Sequence, residues 1–297
     1  MSTPLAAALQ RALGGPWTVQ ALGASGFCST WRATGNTLLF VKTLPAADAA
    51  RLEAEADGLR ALAAQGGVVV PTVAHCGVHD GTGLSLLAMQ WLDLRPPDAG
   101  FGQRLGEALG ALHATRPKGD GRFGWAQDNY LGGTLQRNHW SARGGLDGWL
   151  AFFRSERLEA LVPRLQSAGA PTELLHALGA VALALPRFFD DGHVPRASLI
   201  HGDLWSGNWG MRKDGKPVVF DPAVSVSDAE AELAMMELFG TPPAGFGPAW
   251  QAVMGSHAGY ARRRGLYQLY HLLNHAVLFG GAYFGQASML AQRLLLR

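Results

Sequence analysis

Apolar and polar positions change period several times along the chain, and those changes divide it. Residues 17–44, WTVQALGASGFCSTWRATGNTLLFVKTL, alternate in short apolar runs broken by glycine, which predicts strands. The last run, Leu38-Leu39-Phe40-Val41, reads as a buried strand and is followed at once by Lys42. In residues 46–67, AADAARLEAEADGLRALAAQGG, the period becomes helical. Leu52, Ala56, Leu59 and Ala63 form the apolar stripe, and Gly66-Gly67 stop it. Glu55 falls about 60° from Leu52 around that helix, at the edge of the stripe, whereas Glu53 and Asp57 point away. A carboxylate leaning toward a core needs a partner, and Lys42 is the nearest candidate in sequence.

Residues 68–94 predict two or three further strands with a turn at Gly81–Gly83. After Leu94 and the pair Pro96-Pro97 the texture changes to helical segments such as GFGQRLGEALGALHA, interrupted by strands around 197–201 and 217–221. Residues 119–141, rich in glycine and aromatics without clear period, read as an ordered loop. The N-terminal MSTPLAAALQRALGG reads as an amphipathic helix ending at Gly14-Gly15; Arg11 stands where a signal peptide would be apolar. The expectation is an α+β protein of two domains: residues 1–92, a small sheet-rich lobe with one helix, and residues 93–297, a larger and mainly helical lobe.

Composition narrows the partners. With 297 residues, 48% hydrophobic and 16% charged, the chain can bury a large core. Net charge is +2, and Arg262-Arg263-Arg264 is the only basic triplet, expected as a solvated helix face. That is too little clustered charge for a nucleic-acid footprint. No apolar run approaches the ~18 residues of a membrane span. Neither nucleic acid nor membrane is expected as a partner, the expected location is cytoplasmic, and no feature sets an oligomeric state. Cys28 and Cys76 form no C-x-x-C and are expected as buried thiols.

The chemistry concentrates in LIHGDLWSGNWG, residues 199–210. An Asp with an Asn five positions on, after a strand and a His-x-Asp turn, matches the catalytic loop of the protein-kinase-like fold. Phosphoryl transfer to an alcohol needs a proton acceptor, here Asp203, and oxygen ligands for Mg²⁺, here Asn208 and Asp221, which closes PVVFDP. An ordinary turn with Asp and Asn as local caps is the plain alternative. Lys42 followed by a helix carrying Glu55 resembles the lysine–glutamate pair that holds ATP phosphates, with Gly23-Ala24-Ser25-Gly26 as the loop above them. Cys28 would sit at that loop. Gly202 stands where protein kinases have arginine, and no A-P-E motif follows Asp221, which favours a small acceptor over a docked peptide. Pro222 should hold Asp221 in extended backbone. His271 and His275 have the spacing of a zinc pair but no glutamate between them, so packing or cleft-lining roles fit better.

With these residues placed, HGDLWSGN, DPAV, LYQLYHLLNHAVLFGGAY and GWAQDNYLGGTLQRNHW resemble the fructosamine (ketosamine) kinase family, from the lysine strand to the C-terminal helix. The resemblance implies a two-lobed kinase-like fold related to aminoglycoside and choline kinases. It also implies ATP-dependent phosphorylation of the sugar 3-hydroxyl of a ketoamine, leading to deglycation. On that basis Asp203 is the base and Asn208 and Asp221 bind the metal. Lys42, Glu55, Gly23, Ser25 and Gly26 serve the phosphates. Gln90, Trp91 and Leu92 offer hinge backbone groups to adenine, and Trp205 and His275 line the sugar site. The run Ser225-Val226-Ser227 departs from the family's tyrosine pair, which bears on substrate choice. A kinase for another alcohol, such as an aminoglycoside, and a nucleotide-binding pseudokinase sensor stay open as alternatives.

Overall fold

Period-two patterning in the first ninety residues builds a five-stranded antiparallel sheet in the order β1-β2-β3-β5-β4. Its strands are β1 (Thr18–Ser25), β2 (Cys28–Thr34), β3 (Leu38–Pro45), β4 (Val73–His79) and β5 (Leu84–Gln90). The computed structural model describes residues 3–25, 27–79, 81–117, 120–255 and 258–296. Alternation assigns each strand residue a face. Leu39 and Val41 of β3, with Leu86 and Ala88 of β5, meet Leu5, Ala8 and Leu9 of α1 (Pro4–Leu13). Helix α1 starts where Thr3 Oγ1 accepts the Ala6 N–H, and it ends at Gly14, whose φ is 74°. The opposite face of β3 and β5 presents Leu44, Leu87 and Met89 to Leu52, Ala56, Leu59 and Leu62 of α2 (Ala49–Gln65). Lys42 shares parity with Leu44, so the strand itself aims it at α2.

The remaining residues form α3 (Phe101–Ala114), α4 (Gly145–Phe152), α5 (Val162–Ser167) and α6 (Thr172–Ala184), then α7 (Ala229–Met236), α8 (Phe246–Met254), α9 (Tyr260–Phe279) and α10 (Ala282–Leu295). Short strands run between them. β6 (Leu94–Arg95), β10 (Trp209–Arg212) and β11 (Pro217–Val219) make one small sheet. β9 (Ala197–Ile200) pairs with β12 (Ser225–Asp228), which absorbs the Ser225-Val226-Ser227 run. The expected loop at 119–141 contains a hairpin, β7 (Asn129–Leu131) and β8 (Thr134–Gln136). One core runs from α2 into α3, α7 and α8 through Leu59, Leu105, Leu109, Val219 and Trp250. A second joins α4, α6, α9 and α10.

Cys28 and Cys76, expected as buried thiols, are half-buried, and two further expectations are corrected. The basic triplet is no solvated face: Arg263 is fully buried, its Nε 2.6 Å from Glu230 and its Nη1 2.7 Å from Asp191, while Arg262 and Arg264 pair with Asp190 and Glu237. Thr172–Phe189 is an 18-residue helical stretch with mean hydropathy 1.2, long and apolar enough to cross a membrane by length and composition. Glu173, His176 and Arg187 interrupt it, so a search for unbroken runs passes over it. Leu174, Leu178, Val181 and Leu185 pack one face of it into the second core, while 39% of the stretch is buried.

Helix α3 carries glycines at 102, 106 and 110, four apart and therefore on one face. A Cβ on Gly102 would lie 2.0 Å from the Ala244 carbonyl oxygen, one on Gly106 2.4 Å from that of Phe246, and one on Gly110 2.9 Å from Val253 Cβ. The first two glycines meet the backbone just before and at the start of α8, and the third meets the Val253 side chain. Gly106→Ala gains about 1 kcal/mol of helix propensity but forces overpacking worth about 1–3 kcal/mol. A lower Tm is expected, whereas Gly179→Ala in α6, with open space around its Cβ, should raise it. Calorimetry on the two variants checks the contrast, and a Gly106→Ala protein as stable as the parent would show the helices can part.

Candidate active site

The segment after β9 is folded against three other elements before any ligand arrives. Gly202 has φ 85°, and a Cβ there would come 2.1 Å from the Ala223 carbonyl oxygen. Glycine in place of arginine is thus a backbone requirement of this turn. The N–H groups of His201 and Gly202 both donate to the Glu232 carboxylate on α7. The His201 carbonyl accepts the Ala223 N–H at 2.9 Å. His201 Nε2 lies 2.8 Å from the Phe220 carbonyl, an acceptor only, so Nε2 carries the proton and Nδ1 accepts the Asp203 N–H at 3.3 Å. Asn208 Nδ2 donates to the Asp203 carbonyl at 2.7 Å and reaches Asp203 Oδ2 at 3.3 Å. The Phe220 N–H donates to the Asn208 carbonyl at 3.1 Å. Asp203, Asn208 and Asp221 are thereby brought together.

Lys42 completes the cluster from the sheet. Its Nζ is 2.8 and 2.9 Å from the two Glu55 oxygens and 2.6 Å from Asp221 Oδ1. Gly58 on α2 makes this approach possible, since a Cβ there would stand 3.1 Å from Pro222 Cγ and 3.3 Å from Val224. Asp221 is the one non-glycine with positive φ among the described residues, at 61°. The expectation that Pro222 keeps it extended is therefore corrected. Pro222 disfavours the right-handed region, and the residue takes the left-handed one, which costs on the order of 1–3 kcal/mol and recurs at functional sites.

Electrostatics follow from burial and charge. Burial works against the Lys42 ammonium, but Glu55 and Asp221 outweigh it and hold the group protonated. For Glu55 burial is the largest influence and pushes its carboxyl up to about 7, against the pull of Lys42. Asp203 is raised well above the usual carboxylate range, by burial first and then by Asp221 and Glu232, with Asn208 opposing. Glu232 goes the other way. Burial would raise it, but His113, His201 and the backbone N–H groups hold it below its ordinary value.

Two cavities flank this cluster. One of 570 Å³ is lined by Phe40, Met89, Gln90, Trp91, Leu92, Phe220 and Asp221. The other, 290 Å³, is lined by Lys42, Glu55, Asp203, Trp205, Asn208 and Asp221 with Phe27, Arg51, Asn129 and Tyr130. Asp221 belongs to both walls. The hinge residues border the first cavity, although the Trp91 N–H is already bonded to the Leu38 carbonyl and is not available to a ligand. Gly23 and Ser25 lie in β1, where Ser25 pairs with Cys28; Gly26 lies outside the described residues. Trp205 stands 41% exposed at the rim of the second cavity. His275 does not line it. Its ring packs 4.6 Å from Phe239, 5.6 Å from Phe279 and 5.1 Å from Tyr283, and Phe279 in turn meets Phe27 at the mouth. His271 is buried, with burial pulling its pKa down to about 3.

The donors suit a hard cation. Asn208 spends its amide hydrogens on Asp203, which leaves its carbonyl oxygen, and Asp221 keeps one oxygen beyond the Lys42 contact. Such oxygen donors match Mg²⁺.

Sequence reasoning missed Glu232, which has no local motif, and the pair behind it. Trp250 Nε1 donates to His113 Nδ1 at 3.0 Å, which leaves the proton on His113 Nε2, a nitrogen 3.7 Å from Glu232 Oε2. It also missed the buried amides behind the Asp221 turn. Asn129 Nδ2 donates to the Val224 carbonyl at 2.7 Å and Gln136 Nε2 to that of Ala223 at 3.2 Å. The unpatterned polar residues of 119–141 were their only signal.

A buried strand lysine, a helix glutamate and a His-x-Asp loop between a sheet and a helical bundle define a kinase-like phosphotransferase fold. The aminoglycoside phosphotransferase APH(4)-Ia, in a thermostable mutant, shares that fold with a TM-score of 0.63 at 15% identity over 98% of each chain. A sequence model of the fructosamine kinase family matches residues 9–297, and the chain belongs to that family. A probable ketoamine kinase of Synechocystis is 36% identical over 272 residues, covering 91% of this chain and 86% of that one. The crystal structure of a putative fructosamine-3-kinase from Thermobifida fusca superposes with a TM-score of 0.85 at 32% identity, covering both chains fully.

Because Glu232 holds two consecutive loop N–H groups with one buried charge, Glu232→Gln should cost about 1.5–3 kcal/mol, the worth of a charged hydrogen bond. Hydrogen exchange at His201 and Gly202 should speed up with it. Unchanged protection at those amides would mean that the loop holds itself.

Proposed function

We propose that the protein is an ATP- and Mg²⁺-dependent ketosamine kinase, which phosphorylates the sugar 3-hydroxyl of a fructosamine or ribulosamine. The observation that carries this reading is the shared wall. Asp221 borders both the hinge cavity and the cavity that holds Asp203. A nucleotide lying along the hinge brings its terminal phosphate to Asp221 and Lys42, within reach of an alcohol in the second cavity. The acceptor class, a ketoamine, is that of the probable ketoamine kinase and the putative fructosamine-3-kinase that the chain resembles.

In this reading Asp203 accepts the proton of the attacking hydroxyl, and its burial raises its basicity for that task. Lys42, fixed by Glu55, orients the phosphates. Asn208 and Asp221 hold Mg²⁺, which neutralises charge on the transferring phosphoryl group when bound. Trp205 offers an aromatic face to the sugar ring. The phosphorylated adduct, being unstable, would shed the sugar and restore the amine, so the role is deglycation.

ADP release from Mg-ATP with a synthetic fructose- or ribulose-amine tests the reading. Turnover in the parent should fall by about 10²–10⁴ in Asp203→Asn, the usual worth of a general base. Tight ATP binding without turnover of any ketoamine would overturn the assignment of the acceptor.

A further inference from the structure

The catalytic cavity contains one charged side chain with no task in the chemistry above. Arg51 lines the 290 Å³ cavity together with Asp203 and Trp205, and it does not line the hinge cavity. It stands one helical turn before Glu55, in the first turn of α2, which carries no acidic residue. A cation there faces the positive end of the helix dipole, a local conflict of the sort proteins keep for function.

Its hydrogen bonding is incomplete. Nη2 makes one long contact, 3.5 Å to the Gly132 carbonyl, and Nε is buried without a partner. Among the described residues the arginine ion pairs leave Arg51 out. Its Cζ stands over the Phe27 ring, 5.8 Å from the centroid, and both residues line the cavity. A buried donor left unmade is costly, and a guanidinium fork matches a carboxylate or phosphate in geometry and charge.

We propose that Arg51 selects acceptors bearing an anion, a carboxylate on the amine part of the ketoamine or a phosphate on its sugar. This rests on the ketosamine kinase reading and sharpens it: neutral ketoamines would be poorer substrates than those made from free amino acids or from sugar phosphates. A purely structural Arg51, a strut between α2 and Phe27, would not distinguish them.

The test compares kcat/KM for a ketoamine of a free amino acid, its carboxamide, and the carboxamide carrying a sugar phosphate. All three are measured in the parent, Arg51→Gln and Arg51→Lys, with the KM for ATP alongside. In the parent, at least one anionic acceptor should be favoured over the neutral one by about tenfold or more, the worth of one charged hydrogen bond. The preference identifies which anion binds. It should fall to near unity in Arg51→Gln and recover in part in Arg51→Lys. General damage lowers all three substrates together and leaves the ratio where it was. An unmoved ratio in Arg51→Gln overturns the proposal, as does a parent that takes all three equally. So does an effect confined to the KM for ATP, which would assign Arg51 to the nucleotide. Turnover of the carboxamide in any of these cases keeps the ketosamine kinase reading intact. No turnover of any ketoamine removes both.

Discussion

Everything at this site depends on one buried ammonium. Lys42 is almost inaccessible, and it remains charged because two carboxylates from different elements close on it, Glu55 from α2 and Asp221 from the end of β11. Removing either leaves the others in a poor medium for charge. The contact with Asp221 spans 179 residues and ties the sheet to the segment that follows the His-x-Asp loop. The left-handed backbone of Asp221 is tolerated because that contact and the amides of Asn129 and Gln136 surround the turn with bonds it would otherwise lack.

A second buried charge does for the loop what Lys42 does for the lobes. Glu232 collects two backbone N–H groups, and beside it, 3.7 Å away, stands the His113 ring, which is fixed in turn by the Trp250 indole. Asp203, the proposed base, touches neither His113 nor Trp250. It inherits their precision through the backbone of His201 and Gly202. The three groups come from α3, α7 and α8, so the loop is held by the helical core rather than by its own turn.

How much of this was legible in the sequence depends on the range of each interaction. Lys42 and Glu55 could be paired from periodicity alone, because period two in β3 and a 3.6-residue repeat in α2 each fix a face. The oxygen cluster of Asp203, Asn208 and Asp221 was legible through its spacing. Arg263 was not: its partners Glu230 and Asp191 lie 33 and 72 positions away, and a run of three arginines says nothing about them. The conformation of Asp221 was misread because a local rule about the residue before proline yielded to a distant lysine. Glu232 escaped notice because α7 is buried nearly all round and shows no stripe from which an inward carboxylate would stand out. The availability of the Trp91 amide depended on a strand partner, Leu38, that hydrophobic patterning alone does not identify.

The glycine stripe of α3 gives the site a mechanical property. Side-chain contacts between helices can yield by changing rotamer, but a contact between two main chains has no rotamers to change. At Gly102 and Gly106 the helix α3 rests directly on backbone carbonyls just before and at the start of α8. His113 and Trp250, the two rings packed behind Glu232, ride on these same helices. The joint therefore has almost no slack, and its tolerance is set by atomic radii rather than by the flexibility of any residue. Sequence drift along this seam can proceed only where it adds no atom, so the aim of Asp203 is preserved by positions that carry no side chain at all.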